Sequence, residues 1–128
     1  MRIAHIALWA ADLDGLRLFY QTYFGARCDG DKYVNPAKGF ASTFLSFADG
    51  ARLELMSRSD VGPRPPGGEC VGLAHLAFAT GSIAAVDALT RRLEADGYRR
   101  LDGPRRTGDG YYESVVLDPE GNRIEITI

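Results

Sequence analysis

A repeat constrains this chain more than any other feature. Residues 3–8 read I-A-H-I-A-L, and residues 73–78 read L-A-H-L-A-F, matching position by position in size and polarity. Residues 50–55, G-A-R-L-E-L, return as G-N-R-I-E-I at 121–126, so Gly50, Arg52 and Glu54 recur as Gly121, Arg123 and Glu125. Self-similarity at a fixed period marks a fold built from copies of one supersecondary unit. At 128 residues the chain has room for one domain made of two such halves, 1–57 and 72–128, joined by a linker over 58–71. Three prolines and three glycines in that joining stretch argue against a regular element there.

Each half reads as β-α-β-β-β, which predicts an α+β fold of two tandem modules forming curved mixed sheets around a cleft. In the first half a strand is predicted over 2–9 and a helix over 12–24, where Leu13, Leu16, Phe19, Tyr20, Tyr23 and Phe24 keep helical spacing. Asp12 suits the N-cap and Gly25 the stop. Weak strand signals lie at 32–34, and strands at 41–48 and 51–57 are expected to join through a two-residue Asp49-Gly50 turn. The second half repeats the plan, with a strand at 72–80 and a helix at 83–96 capped by Ser82. Its apolar stripe is Ile83, Ala85, Val86, Leu89 and Leu93. A short strand at 98–102, a loop at 103–110 and strands at 111–117 and 122–128 complete it.

Strand alternation sorts the polar residues onto faces. Ile3, His5, Ala7 and Trp9 share one side of the opening strand, opposite Ile6 and Leu8. Leu53 and Leu55 oppose Arg52, Glu54 and Met56. The apolar sides suit the helices, which leaves His5 with Glu54, and by repetition His75 with Glu125, on the other face. A single histidine in an apolar strand is ordinarily a hydrogen-bonded core residue, and a glutamate beside an arginine a surface pair. Here both histidines of the chain occupy the same repeat position, and each carboxylate interrupts an apolar strand twice over. Burying a carboxylate is costly unless it is paired or ligates a metal.

His5, Glu54, His75 and Glu125 are therefore the candidate metal ligands. Two imidazoles and two carboxylates without a thiolate suit Ni2+, Co2+, Zn2+, Mn2+ or Fe2+, one per site. Cys28 and Cys70 stand outside the set and make neither a disulfide framework nor a C-x-x-C pair, so a cytoplasmic address is expected. Trp9, Met56, Phe44 and Tyr112 are the candidate lining of a small-molecule pocket. Fifteen basic against 17 acidic residues give a net charge of −2, with no basic patch for nucleic acid. No apolar run approaches the ~20 residues of a membrane span, and the N-terminal stretch lacks a signal-peptide pattern.

This arrangement, with His in the first strand and Glu in the last strand of each unit (within D-P-E-G-N-R-I-E in the second), resembles the vicinal oxygen chelate superfamily, whose best-known member is glyoxalase I. Extradiol dioxygenases and fosfomycin-resistance thiol transferases of that superfamily use two histidines and one glutamate, so Glu54 points to the glyoxalase I type. The resemblance implies a metal-dependent lyase or isomerase that moves a proton between adjacent carbons of a hemithioacetal-type substrate, with a small vicinal-oxygen compound as partner. Glu125 is then the catalytic base and a ligand, Glu54 the second candidate catalytic carboxylate. Nickel or cobalt is the metal favoured by the similar short bacterial enzymes. Two positions depart from glyoxalase I: Trp9 stands where an arginine grips a glutathione carboxylate, and Arg58 where an asparagine stands. Arg64, Arg105 and Arg106 are further sources of charge. Oxygenation, thiol transfer, or ligand binding without chemistry are the alternatives. A homodimer is expected, with the site formed within one chain or shared between two.

Overall fold

The computed structural model describes residues 1–63 and 71–128, which form two compact units, Met1–Pro66 and Gly67–Ile128. Residues 64–70, half of the 58–71 linker and including Arg64 and Cys70, lie outside the described residues.

In the first unit, strand β1 (His5–Trp9) leads into helix α1 (Leu13–Phe24). Two short strands follow, β2 (Arg27–Cys28) and β3 (Tyr33–Asn35), then β4 (Phe40–Ser46) and β5 (Arg52–Arg58). The strand order is β1-β5-β4-β2, with β3 also on β4. β1 and β5 are parallel, and β4 runs antiparallel to β5. Parallel pairing needs a crossover, and α1 begins it. Asp12 caps α1 by accepting the Gly15 N–H at 2.9 Å, and Gly25 closes it in the left-handed region at φ +65°. Leu8, Leu13, Leu16, Phe19, Tyr20, Leu45, Leu53 and Leu55 are buried, and α1 packs against β5. Each such side chain contributes about 1.5–3 kcal/mol when removed from water.

The second unit repeats the topology: β6 (Leu76–Ala79), α2 (Ile83–Ala95), β7 (Arg100–Arg106), β8 (Tyr112–Leu117) and β9 (Arg123–Thr127). Its order is β6-β9-β8-β7, again with first and last strands parallel. Ser82 caps α2 by accepting the Ala85 N–H at 3.2 Å. Val86, Thr90 and Leu93 face inward with Val116, Ile124 and Ile126. The polar member Thr90 donates its hydroxyl to the Val86 carbonyl at 2.7 Å, so the Ser114 hydroxyl supplies the hydrogen in their 2.6 Å contact.

Several boundaries differ from the sequence expectation. β1 starts at His5, and Ile3 precedes it, 68% exposed. The β4–β5 connection spans residues 47–51 rather than two, with Asp49 accepting the Gly50 N–H. Ile83 is exposed, and Thr90 occupies the buried stripe instead. β7 continues through Gly103 and Pro104, residues expected to break it. It does so by irregular pairing with β8, whose register shifts on either side of Asp102. Gly103 holds φ +70°, and a Cβ there would stand 2.3 Å from the Glu113 carbonyl oxygen, so only glycine permits this approach.

Candidate metal and substrate site

The side of each sheet away from its helix carries the candidate ligands. Register places Ala7 beside Glu54 and His5 beside Arg52 across the parallel β1–β5 pair, so His5 and Glu54 project from one face while Leu53 and Leu55 project from the other. His5 Nε2 lies 3.6 Å from Glu54 Oε2. In the second unit Ala77 is beside Glu125, and His75 Nε2 lies 3.4 Å from Glu125 Oε2. Side-chain exposures agree between copies, 42% for each histidine and 17% for each glutamate, so the repeat in sequence is also a repeat of exposure.

The donor pairs suit a cation. Two donors each about 2.1 Å from a common metal stand roughly 3.0–3.4 Å apart at octahedral or tetrahedral angles, close to both observed separations. Within each unit, among the described residues, no third histidine, cysteine or acid joins the pair in a metal-binding group. Each unit thus presents one histidine and one glutamate on this face.

Surroundings distinguish the halves. The His5 ring meets Phe44 edge-on at 5.4 Å, and the Arg52 guanidinium lies over the same phenyl ring at 4.5 Å. Phe44 is paired with Glu54, and Met56 with both Trp9 and Ser42, so Trp9, Met56 and Phe44 share the face of His5 and Glu54. Phe40 adds an edge-to-face contact with Trp9 at 6.5 Å, and the Arg58 guanidinium covers the indole at 5.1 Å.

Tyr112, expected in the pocket lining, is on the other side of its sheet. It alternates in phase with Ser114 and Val116 toward α2, and its hydroxyl donates to Asp87 Oδ1 at 2.8 Å. That bond, with burial, raises the phenol above its usual range.

Sequence reasoning missed Glu113. It is the repeat counterpart of Ser42 and shares the face of Glu125, with Val115 opposite Glu125 and Glu113 opposite Thr127. Burial first, then the Glu125 carboxylate, pushes the Glu113 carboxyl above its ordinary value, against the pull of Arg105 and His75. Its repeat equivalence to Ser42, which lies opposite Met56 on the face of Glu54, was the available signal. Arg105 pairs across the sheet with Glu113 and also bonds Asp102, while Arg106 donates to the Gly110 carbonyl at 3.4 Å. The Cys28 thiol contacts the Gly30 carbonyl and Thr43 hydroxyl, apart from either His–Glu pair. No helix among the described residues is long and apolar enough to cross a membrane.

Comparison with known proteins bears on this geometry. The family model described as Glyoxalase/Bleomycin resistance protein/Dioxygenase superfamily matches residues 2–126. The uncharacterized protein PA2024 of Pseudomonas aeruginosa is 31% identical over 128 residues, covering 98% of this chain and 86% of that protein. A lactoylglutathione lyase from Agrobacterium tumefaciens superposes with a TM-score of 0.67 at 28% identity, over 98% of this chain and 91% of that one. A variant of glyoxalase I from Zea mays superposes with a TM-score of 0.80 at 23% identity, a likeness of fold, over 98% of this chain. This chain spans 44% of the maize protein's length.

Proposed function

The chain belongs to the Glyoxalase/Bleomycin resistance protein/Dioxygenase superfamily, and from that premise we propose that it is a divalent-metal-dependent lyase or isomerase of the glyoxalase I type, acting on a small vicinal-oxygen substrate. The observation that carries the reading is the paired recurrence of histidine and glutamate, at 3.6 Å in one unit and 3.4 Å in the other, on the face each sheet turns away from its helix. His5, Glu54, His75 and Glu125 together hold one cation in this proposal, Ni2+ or Co2+ before Zn2+, Mn2+ or Fe2+, with the units drawn from one chain or two of a homodimer. Fold likeness to the maize protein and to the Agrobacterium lyase supports the class.

When bound, the cation supplies Lewis acidity that stabilises negative charge developing on substrate oxygen. Glu125 acts as base: its carboxylate takes the proton from one substrate carbon and returns it to the neighbour. His75, in reach of the same carboxylate, orients it. Glu113, whose carboxyl is raised by burial and by the Glu125 carboxylate, is the acidic neighbour that Glu125 has on this face. Trp9, in place of a charged clamp, argues for a substrate other than a glutathione adduct.

The test is reconstitution of chelator-stripped protein with Ni2+, Co2+, Zn2+ or Mn2+, followed by assays on methylglyoxal adducts of several thiols. Stoichiometric metal uptake that is lost in His5→Ala and His75→Ala alike, together with metal-dependent isomerisation, supports the proposal. Uptake indifferent to all four residues overturns it.

A further inference from the structure

The face that carries His5 and Glu54 continues into a cluster that the proton-transfer chemistry does not use. Trp9, the only tryptophan of the chain, is 41% exposed, and Tyr33 is 58% exposed. Phe40 touches both, 6.5 Å from the indole and 6.2 Å from the Tyr33 ring. Cross-strand register lines up Trp9 with Met56, Met56 with Ser42 and Ser42 with Tyr33, making one lateral row, with Phe40 and Arg58 paired in the next. Trp9 and Tyr33, exposed and bridged by the half-buried Phe40, form a stacking surface on the sheet face.

Arg58 gives that surface a sign. Its guanidinium carbon sits over the indole, 5.1 Å from the ring centroid, and Asp60 accepts from its Nε. The terminal nitrogens lie on the other edge of a fork with five N–H donors, a fork that matches a carboxylate. An exposed Arg–Asp pair binds its own counter-charge weakly and can exchange it for a ligand's. Met56 is two residues beyond Glu54 on the strand, about 7 Å, and Arg58 is four beyond, roughly 13 Å.

We infer that Trp9, Phe40, Tyr33 and Arg58 form the substrate-anchoring subsite, and that it takes a flat, π-bearing group attached to a carboxylate. The ring stacks on Trp9 and the carboxylate exchanges with Asp60 on Arg58, while the other end of the molecule reaches along Met56 toward Glu54. Only that last clause rests on the proposed reaction; anchoring stands without it.

The experiment uses the full chain, stripped of metal, with Trp9 fluorescence excited at the red edge of indole absorption. 3-Phenylpropanoate is titrated against its uncharged amide. The expected result is saturable quenching by the carboxylate, with the amide at least about fivefold weaker, the size of one exposed charge-assisted contact. Arg58→Gln is expected to bring the two ligands within about twofold, and Asp60→Asn to strengthen the carboxylate by about twofold or more. Equal affinities in the parent protein, no saturable quenching, or discrimination that survives Arg58→Gln overturns the inference. So does a gain in Glu54→Gln as large as that in Asp60→Asn, which would put the anion beside His5. Since no metal is present, failure here and failure of the metal-dependent reaction are separate results.

Discussion

Glu125 Oε2 stands 3.4 Å from His75 Nε2, on the side of β9 opposite the buried Ile124 and Ile126. A similar separation, 3.6 Å, holds between Glu54 and His5, so the proposal treats the two carboxylates alike as ligands; Glu125 has a second carboxylate, Glu113, beside it, where the repeat places Ser42 in the first unit. Their roles in the proposed reaction should separate. Glu54→Gln and Glu125→Gln are both expected to weaken metal binding. At saturating metal, Glu125→Gln alone is expected to lose about 100-fold or more in turnover, the typical contribution of a positioned base. Metal titration by calorimetry beside steady-state kinetics distinguishes the outcomes.

Glu113 gives a pH signature. Its carboxyl is raised in the folded chain, so the folded state binds that proton more tightly than the unfolded state. Stability contributed by this group is therefore present at low pH and declines as pH climbs through the ordinary carboxylate range to the raised value. Glu113→Gln should match the parent protein near pH 4 and melt higher at pH 7, measured on chelator-treated protein. Parallel melting profiles at both pH values would refute this account.

The Thr90–Ser114 contact predicts a packing effect far from the ligands. Both side chains are fully or almost fully buried, and the Ser114 hydroxyl donates to Thr90. Thr90→Val keeps the shape and strands that donor, a loss of about 1–3 kcal/mol in denaturant unfolding. Adding Ser114→Ala should recover part of the loss, because no hydroxyl then remains unsatisfied.

Tyr112→Phe tests the face assignment. Removing the hydroxyl breaks the 2.8 Å bond to Asp87 and should lower stability by about 1 kcal/mol. Ligand affinity and turnover should stay within about twofold, since the ring faces α2. A large change in KM with unchanged stability would return Tyr112 to the pocket.

How much of this was legible in the sequence depended on whether a local pattern had one physical reading. The pairing of His5 with Glu54 and of His75 with Glu125 was legible because a duplication gave each residue a control, and clean alternation around Leu53 and Leu55 fixed the face. Asp12, Gly25 and Ser82 announced helix ends through capping chemistry that needs no tertiary context. Tyr111-Tyr112-Glu113-Ser114-Val115-Val116 has no such alternation, so nothing local shows that Ser114 rather than Val115 is turned toward the helix. Tyr112 was misplaced and Glu113 overlooked for that one reason. Ile83 was expected inside on hydrophobicity, whereas Thr90 is there because its hydroxyl is satisfied within the helix and by Ser114. The extension of β7 beyond Asp102 was hidden because glycine and proline ordinarily end strands.

The missing side chain at residue 103 has reach beyond its own backbone. A methyl group there would collide with the Glu113 carbonyl and the Ser114 Cα, forcing β7 off β8 just before Arg105 comes opposite Glu113. Replacing this glycine would therefore register first as an electrical fault: Glu113 would lose its nearby guanidinium, and the carboxylate beside it, Glu125, would face a neighbour with altered charge.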